Sequence, residues 1–589
     1  MSRIAVAGSG QAPGATCGRL LRNGVLVPAV LLIPSVLLLA VLFPQPLVRA
    51  GRALAYPFQL DGEEGFLLDQ ALQLAAGRSI YGPIGVEPYL VGNYPPLYPA
   101  LWGLIQSAAG GRPSLIWGRL IVLAGFAVVA ALTVMMTWRA AGAAEVGTRA
   151  DGGAACGVGR LVAALLPVLY FSVTYDWFDW IAYARVDIPA IAFSMGALAV
   201  VALSPPERLG GRVFWAAGLA VAALFTKQTM LAAPAAIAVW LLVFERRHLR
   251  RFALAVAVPG AALFLLFTLL TGGEFFRHLI VYNANRFAWF QVAASLRHLW
   301  FFQKFALTAA VAGGVLALWA VVPAGGVGGA CRSAVRHLAL CGLYCALACG
   351  NLWAVGKEGS APNYLLEVHL GTGLVLGAGL VAGLAAARGA DRAPRRLRGF
   401  VAAAVIAAGL LAHAVGLHRP VQRGGEGPAV RKFDLLFSRP TPGPADTRSE
   451  ERLVAALPLD APGGVLAEYP IYGILSGRRP VLQPFIMSQL AREGRWDPLP
   501  LVREIRAGRF AHLLTTQDVR QDQAFYRWGP EFIAAFRESF ALRRVIPRLG
   551  GREHLFWYDY RGPTLTPSST PPRPGGSGPV DADAAPGVN

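Results

Sequence analysis

Charge is what this sequence has least of. Only 15% of its 589 residues are Asp, Glu, Lys or Arg, against about 25% in a soluble globular protein. Hydrophobic residues make up 55% of the chain, and the mean hydropathy is +0.48. These values exclude a soluble enzyme and a disordered chain. Cysteine is also scarce, with six in all and none after Cys349. That excludes a disulfide-stapled secreted domain, and any folded unit in the C-terminal part must hold together without disulfides. Acidic residues are outnumbered, 34 against 54 basic, for a formal net charge of +20. Such an excess suits nucleic-acid binding or the loops of a membrane protein, and the placement of the arginines decides between them.

A bilayer-spanning helix needs about 20 apolar residues. The segments that meet or approach this are Val25–Leu47, Ser114–Trp138, Leu161–Tyr175, Val186–Leu203, Val213–Thr226, Met230–Phe244, Phe252–Leu270, Phe305–Val322, His337–Val355, Leu365–Ala386 and Phe400–Leu417. The expected fold class is therefore an α-helical polytopic membrane protein of about eleven transmembrane helices. Tyr94–Ala109 is apolar but short and opens near two prolines. If it lies in the interface and the amino terminus is cytoplasmic, one set of alternating loops collects most of the arginines. These are Arg3, Arg19, Arg22, Arg139, Arg149, Arg160, Arg208, Arg212, Arg246, Arg247, Arg250, Arg251, Arg332, Arg336, Arg388, Arg392, Arg395, Arg396 and Arg398. The opposite loops after the first carry only Lys227, Arg277, Arg286, Arg297, Lys304 and Lys357. By the positive-inside rule the first set faces the cytoplasm. The basic excess of the membrane part is thus a topology signal, and no nucleic-acid partner is expected.

This topology divides the chain into a cytoplasmic N-terminus (1–24), a membrane domain (25–417), an extracytoplasmic α/β domain (418–563) and a disordered tail (564–589). In the α/β part, the apolar runs Gly464–Ala467, Ala511–Thr515 and His554–Tyr558 read as strands. Pro500–Ala507 and Pro530–Phe540 between them are amphipathic. The tail is rich in Pro, Gly and Ser. The N-terminus does not read as a cleavable signal, because its polar start is long and its apolar run exceeds a signal core. Cys17 follows no apolar stretch and makes no lipoprotein site. Cys341, Cys345 and Cys349 recur every four residues. A metal or redox stripe needs that spacing, but so does packing of small residues against a neighbouring helix, which is the expectation.

Polar groups are costly at a membrane boundary, so those on the outer face are the functional candidates. Asp61, Glu63 and Glu64 follow the first span and precede an amphipathic stretch, Phe66–Ala76; in a helical turn Asp61 and Glu64 share a face. Acids that suit a helix dipole are the plainer reading. Asn93 and Tyr94 precede prolines that fix the entry of an interfacial helix. Arg185 and Asp187 stand at the outer end of a span, where a local ion pair is the plainer reading; Asp176 and Asp179 are weaker candidates. Lys227 is the single basic residue of a tight outer hairpin, placed to snorkel or to hold a phosphate. Asn283 to Arg286 and Lys357 to Tyr364, including Asn363, complete the outer face.

This inventory suits one kind of reaction. A carboxylate can take the proton of a hydroxyl acceptor, and cations can hold a phosphate leaving group. No nucleotide-binding loop stands on the inner side.

Read in order, these motifs resemble the membrane glycosyltransferases of the GT-C fold that use polyprenyl-phosphate sugars. The bacterial relatives of protein O-mannosyltransferases and of the lipid A aminoarabinose transferase (families 39 and 83) are the most similar. The series runs Asp61 to Gly65, Gly77 to Tyr81, Tyr94 to Leu97, Gly118-Arg119-Leu120, Val186 to Pro189, Thr226-Lys227, Asn285 to Phe287, Gly356-Lys357 and Asn363 to Leu365. It covers roughly residues 25–420. The resemblance implies an inner-membrane enzyme of cell-envelope biogenesis, a hexosyl- or pentosyltransferase. It would move a sugar from a polyprenyl-phosphate donor to a hydroxyl of a glycan, lipid or protein on the outer face, with inversion. Asp61 is the first choice of base and Glu64 the second, with Glu63 between them and Asp187 orienting or supporting. Lys227, Arg286, Lys357 and Arg185 would hold the donor phosphate, and Asn93, Tyr94, Asn363 and Tyr364 would bind substrate. No cofactor is required by charge balance, and a divalent metal is not indicated. The rivals are a transporter or flippase for a lipid-linked sugar and a non-catalytic envelope assembly protein. A transporter calls for mid-span ionisable residues and internal repeats, and neither is evident.

Overall fold

The computed structural model describes residues 26–145, 153–322, 329–360, 362–389, 393–417, 419–421, 430–431, 441–457 and 464–562. The expectations for residues 1–24 and 564–589 fall outside these.

Among the described residues, eight helices are long and apolar enough to cross a membrane. The first is the joined pair α1 (Leu26–Leu42) and α2 (Pro44–Leu54), which meet at Pro44, where the pyrrolidine ring starts a new helical turn. Three shorter apolar helices, Gly159–Ser172, Asp187–Ala202 and Ala232–Phe244, stand at three further expected spans. The ambiguous segment folds as a helix of 12 residues, α4 (Leu97–Ala108), short of the length a crossing needs. It packs on α3 (Glu64–Ala75), where Gly103 lets the backbones touch at the carbonyl of Ala71.

The remaining helices of the membrane part are α5 (Leu115–Glu145), α6 (Gly153–Ser172), α7 (Tyr175–Trp180), α8 (Asp187–Ala202), α9 (Leu209–Thr226), α10 (Ala232–Phe244), α11 (Arg246–Leu270), α12 (Trp289–Val321), α13 (Gly329–Gly350), α14 (Leu365–Gly389) and α15 (Ala393–Leu417). The innermost is α14, whose apolar window is 89% buried, whereas that of α11 has no buried residue. Small residues permit this density. The Cβ positions of Gly383 on α14 and Gly399 on α15 approach each other's backbone, and Gly371 on α14 lies against Cys345 of α13. Cys341, Cys345 and Cys349 are free thiols, and among the described residues no group of His, Cys, Asp or Glu is arranged to hold a metal. Cys341 is buried and Cys345 lies half-buried against Gly371, where small residues pack closely, whereas Cys349 is exposed.

Helix α12 begins at Trp289, well before the expected Phe305. The added turns carry Arg297, His298 and Lys304, which lowered the local hydropathy without breaking the helix.

The C-terminal part holds α16 (Pro444–Ala456) and a four-stranded sheet in the order β1-β2-β4-β3, made of β1 (Val465–Ala467), β2 (His512–Thr515), β3 (Phe540–Arg548) and β4 (Glu553–Tyr560). Strand β1 runs parallel to β2, and the other neighbours are antiparallel. Alternation along β2 and β4 assigns the two faces. Leu513 and Tyr558 pack with α17 (Pro484–Arg492), α18 (Leu499–Arg506) and α19 (Pro530–Ser539) through Met487, Ile505 and Phe536. Leu514 and Trp557 turn the other way and join the apolar core that runs on into the helical bundle. The sheet is thus covered by helices on one face and by the membrane part on the other.

Strand β3 was not visible as an apolar run. It is an edge strand with a register shift between Leu542 and Arg544, and its middle residues Arg543 to Val545 are exposed. A bulge and charges on an edge remove the period-two signal.

Candidate active site

The turn that carries the acids is fixed from beneath. Glu64 is fully buried and meets Arg119 of α5 through two hydrogen bonds of 2.9 Å. The same carboxylate accepts the backbone N–H groups of Leu60 at 2.7 Å and Ala184 at 2.7 Å. Arg119 donates further to the carbonyls of Ala53, Tyr56 and Phe58. Burial alone would push the Glu64 carboxyl up, but Arg119 and these donors hold it below its ordinary range. With its oxygens occupied, Glu64 ties the end of α2, the acidic turn and the Tyr183–Arg185 loop together.

Asp61 points the other way, because it precedes α3 instead of sharing a helical face with Glu64. Its side chain is 27% exposed and accepts a hydrogen bond from Arg185 at 2.8 Å. Glu63 sits beside it and accepts from Gln483 at 3.2 Å. Burial pushes the Glu63 carboxyl up, with the Asp61 charge adding to the effect against the pull of Arg185.

Asp187 opens α8 and is fully buried. It binds Lys227 at 2.6 Å, Asn363 at 2.8 Å and the Trp180 indole at 3.1 Å. Its contact with Arg185 is longer, 3.8 Å. The local Arg185–Asp187 pair is therefore secondary, and each residue finds its main partner far away in sequence. Lys227, which ends α9, also lies 4.6 Å from the centre of the Tyr364 ring. Arg185 donates at 3.3 Å to the Tyr94 hydroxyl.

Lys357 lies in the loop between α13 and α14 and donates to the Asn283 side chain. Among the described residues no carboxylate is within ion-pair distance of it. Burial, with the Lys227 charge added, lowers its pKa to about 8.

These groups line one cleft of about 470 Å³ under the α/β part. It brings together Asp61, Glu63, Asn93, Tyr94, Arg185, Lys227, Lys357, Asn363 and Tyr364. Asp187 and Glu64 stand behind this lining. Arg286 is exposed and does not line the cleft; its carbonyl accepts the N–H of Glu358. Asp176 and Asp179 are also away from it, the first bound to His369 at 2.7 Å and the second to Arg49 at 3.3 Å. Four side-chain acceptors or hydroxyls in the lining, Asn93 Oδ1, Gln228 Oε1, Thr229 Oγ1 and Asn363 Oδ1, are buried without a hydrogen-bond partner.

The α/β part contributes Phe485, Ile486, Tyr526 and Arg527 to the lining. None of these was expected from the sequence. The available signal was the run Phe525 to Trp528, aromatic and basic just before Gly529-Pro530.

No protein-family model and no curated protein matches this chain. Among solved structures it is similar to ArnT from Cupriavidus metallidurans bound to undecaprenyl phosphate. The identity is 14%, the match covers 89% of this chain and 97% of that one, and the TM-score is 0.50. The apo state of the same protein gives 13% identity, the same coverage and a TM-score of 0.49. The archaeal oligosaccharyltransferase AglB from Archaeoglobus fulgidus, in complex with an inhibitory peptide and a dolichol-phosphate, gives 11%, 91% and 74% coverage, and 0.43. At these identities the likeness is one of fold, and it is the GT-C fold expected from the order of the motifs.

Proposed function

We propose that this protein is a multi-pass membrane glycosyltransferase that moves a sugar from a polyprenyl-phosphate donor to a hydroxyl acceptor at the outer face of a bacterial inner membrane. The observation that carries the reading is the composition of the cleft. Arg185, Lys227 and Lys357 gather around a space that also holds the carboxylates of Asp61 and Glu63. A likeness of fold to a protein whose structure contains undecaprenyl phosphate supports the donor class.

In the proposed step, the acceptor hydroxyl oxygen attacks the anomeric carbon and its proton passes to Asp61. The bond from that carbon to the phosphate oxygen breaks, and the polyprenyl phosphate leaves with the electron pair. Attack from the side opposite the phosphate inverts the configuration. Asp61 is the base because its carboxylate is partly exposed to the cleft and oriented by Arg185. Lys227 and Lys357 stabilise the charge that develops on the leaving phosphate. Asp187 holds Lys227 in place, and Asn93, Tyr94, Asn363 and Tyr364 position substrate. Arg286, outside the cleft, keeps at most a role at the membrane surface. No cofactor enters the proposed step.

The test is a transfer assay in membranes containing the full chain. Radiolabelled polyprenyl-phosphate sugars extracted from the source cells are the donor, and label in delipidated glycan is the readout. Wild-type membranes should transfer label and release polyprenyl phosphate, and Asp61→Asn membranes should do so at least about 100-fold more slowly. Equal transfer by the two would refute the reading.

A further inference from the structure

The α/β part does more than cover the cleft. Two of its side chains close on the two loops that bear opposite halves of the chemistry. Arg527 lies so near Gly62 that a Cβ there would stand 2.9 Å from Nη1. Phe485 packs against Gly359, beside Lys357, at a position whose φ of +81° suits glycine. The Tyr526 ring lies 5.3 Å from that of Phe485, tilted by 41°, and is 60% exposed. All three line the cleft.

Arg527 is anchored at one end only. Its Nε meets Glu468 at 3.2 Å. Glu468 is itself buried and held by Thr516 and Trp528. The terminal nitrogens of Arg527 make no hydrogen bond with any described residue, and Nη1 is the atom next to Gly62. The charge of this guanidinium also faces the Asp61 and Glu63 carboxylates, and a fork without hydrogen bonds can still take a carboxylate or phosphate of a substrate. Its place settles which substrate it meets. A base must touch the acceptor hydroxyl, and Arg527 adjoins the Asp61–Glu63 turn, whereas Lys227 and Lys357 stand in other loops. The exposed face of Tyr526 offers the C–H face of a sugar ring a surface to stack on.

We propose that Tyr526 and Arg527 form the acceptor site, and that the acceptor is an anionic saccharide bearing a carboxylate or phosphate near the reacting hydroxyl. This rests on the glycosyltransferase reading above. Arg527 selects the charged acceptor, and the donor phosphate is held without it.

The full chain in nanodiscs is titrated with glucuronate, glucose 1-phosphate and glucose, read by tryptophan fluorescence. Undecaprenyl-phosphate binding is measured separately on the same samples. One or both anionic sugars should bind at least about tenfold tighter than glucose. The anion that does so identifies carboxylate or phosphate as the recognised group. Arg527→Gln should abolish that preference, Arg527→Lys should retain part of it, and Tyr526→Ala should weaken all three sugars. Undecaprenyl-phosphate binding should stay within about twofold in Arg527→Gln, which also shows that the variant is folded. Equal binding of charged and neutral sugars by the wild type would overturn the proposal. So would a preference that survives Arg527→Gln, or a loss of undecaprenyl-phosphate binding in Arg527→Gln with Arg527→Lys intact. A wild-type chain that selects anionic sugars but fails to bind undecaprenyl phosphate would instead refute the donor assignment on which the acceptor role depends.

Discussion

Glu64 and Arg119 are joined by two hydrogen bonds of 2.9 Å in a fully buried pair. The pair lies directly under the turn that presents Asp61 to the cleft. Breaking one partner of such a pair leaves an uncompensated charge, at a cost of about 3–5 kcal/mol. Arg119→Met is therefore expected to lower the thermal transition of the detergent-purified protein sharply. Asp61→Asn, at a partly exposed carboxylate, is expected to leave that transition within a few degrees of wild type. Differential scanning fluorimetry of both variants checks the contrast.

Catalytic roles within the acidic turn separate by rate. Loss of a general base typically costs about 10²–10⁴-fold. Asp61→Asn is expected to fall in that range in kcat. Glu63→Gln, which keeps a polar group for Gln483, is expected to cost less than about tenfold. Burial raises the Glu63 carboxyl, so this residue takes up a proton at a higher pH than an ordinary Glu. The acid limb of the rate profile should accordingly shift to lower pH in Glu63→Gln. Initial rates across pH 4–7 test both statements, with the range taken as roughly spanning the carboxylate region.

Lys357 is expected to set the alkaline limb. It is charged below about 8 and neutral above. The free enzyme therefore loses a phosphate-holding charge as pH rises through that value. kcat/KM, which reports the free enzyme, is expected to fall above about pH 8. Lys357→Arg keeps its charge throughout and should move the limb upward. A profile of kcat/KM for donor in the two proteins reads this directly.

The α/β part is held to the membrane part by Arg548, which is buried and pairs with Glu450 at 2.7 Å. Arg548 also reaches the carbonyl of Gln59, and Tyr56 binds Glu450. Gln59 in turn accepts the N–H of Ile471 and donates to the Asp61 carbonyl. Arg548→Met leaves Glu450 without its cation. Limited proteolysis should then cut the junction between the two parts faster than in wild type, and transfer should fall with it.

Much of this was readable from the residues. Apolar length located the helices, because a bilayer imposes a minimum that few other folds meet. That the helix Leu97–Ala108 is too short to cross was readable from its prolines and length. Asp61, Arg185, Lys227 and Lys357 stood out because polar groups are rare at those depths, and the structure collects them in one cleft. What sequence could not separate was Asp61 from Glu64. They stand three residues apart, and only the distant Arg119 and the N–H of Ala184 turn one inward and leave the other in the cleft. Arg286 looked equivalent to Lys357 by loop position, yet it is exposed while Lys357 is drawn inward toward Asn283. Tyr526 and Arg527 were invisible because their place in the cleft comes from how the α/β part docks, and docking has no local pattern.

The most direct measurement is native mass spectrometry of undecaprenyl-phosphate binding to the full chain, compared with a neutral lipid of similar length and with the Lys227→Gln, Lys357→Gln double variant. The expected result is stoichiometric retention of the phosphate lipid by the wild type, little retention of the neutral lipid, and loss of the phosphate lipid by at least about tenfold in the double variant. Equal retention of charged and neutral lipids by the wild type, or full retention by the double variant, would contradict the assignment of the cleft to a polyprenyl-phosphate donor.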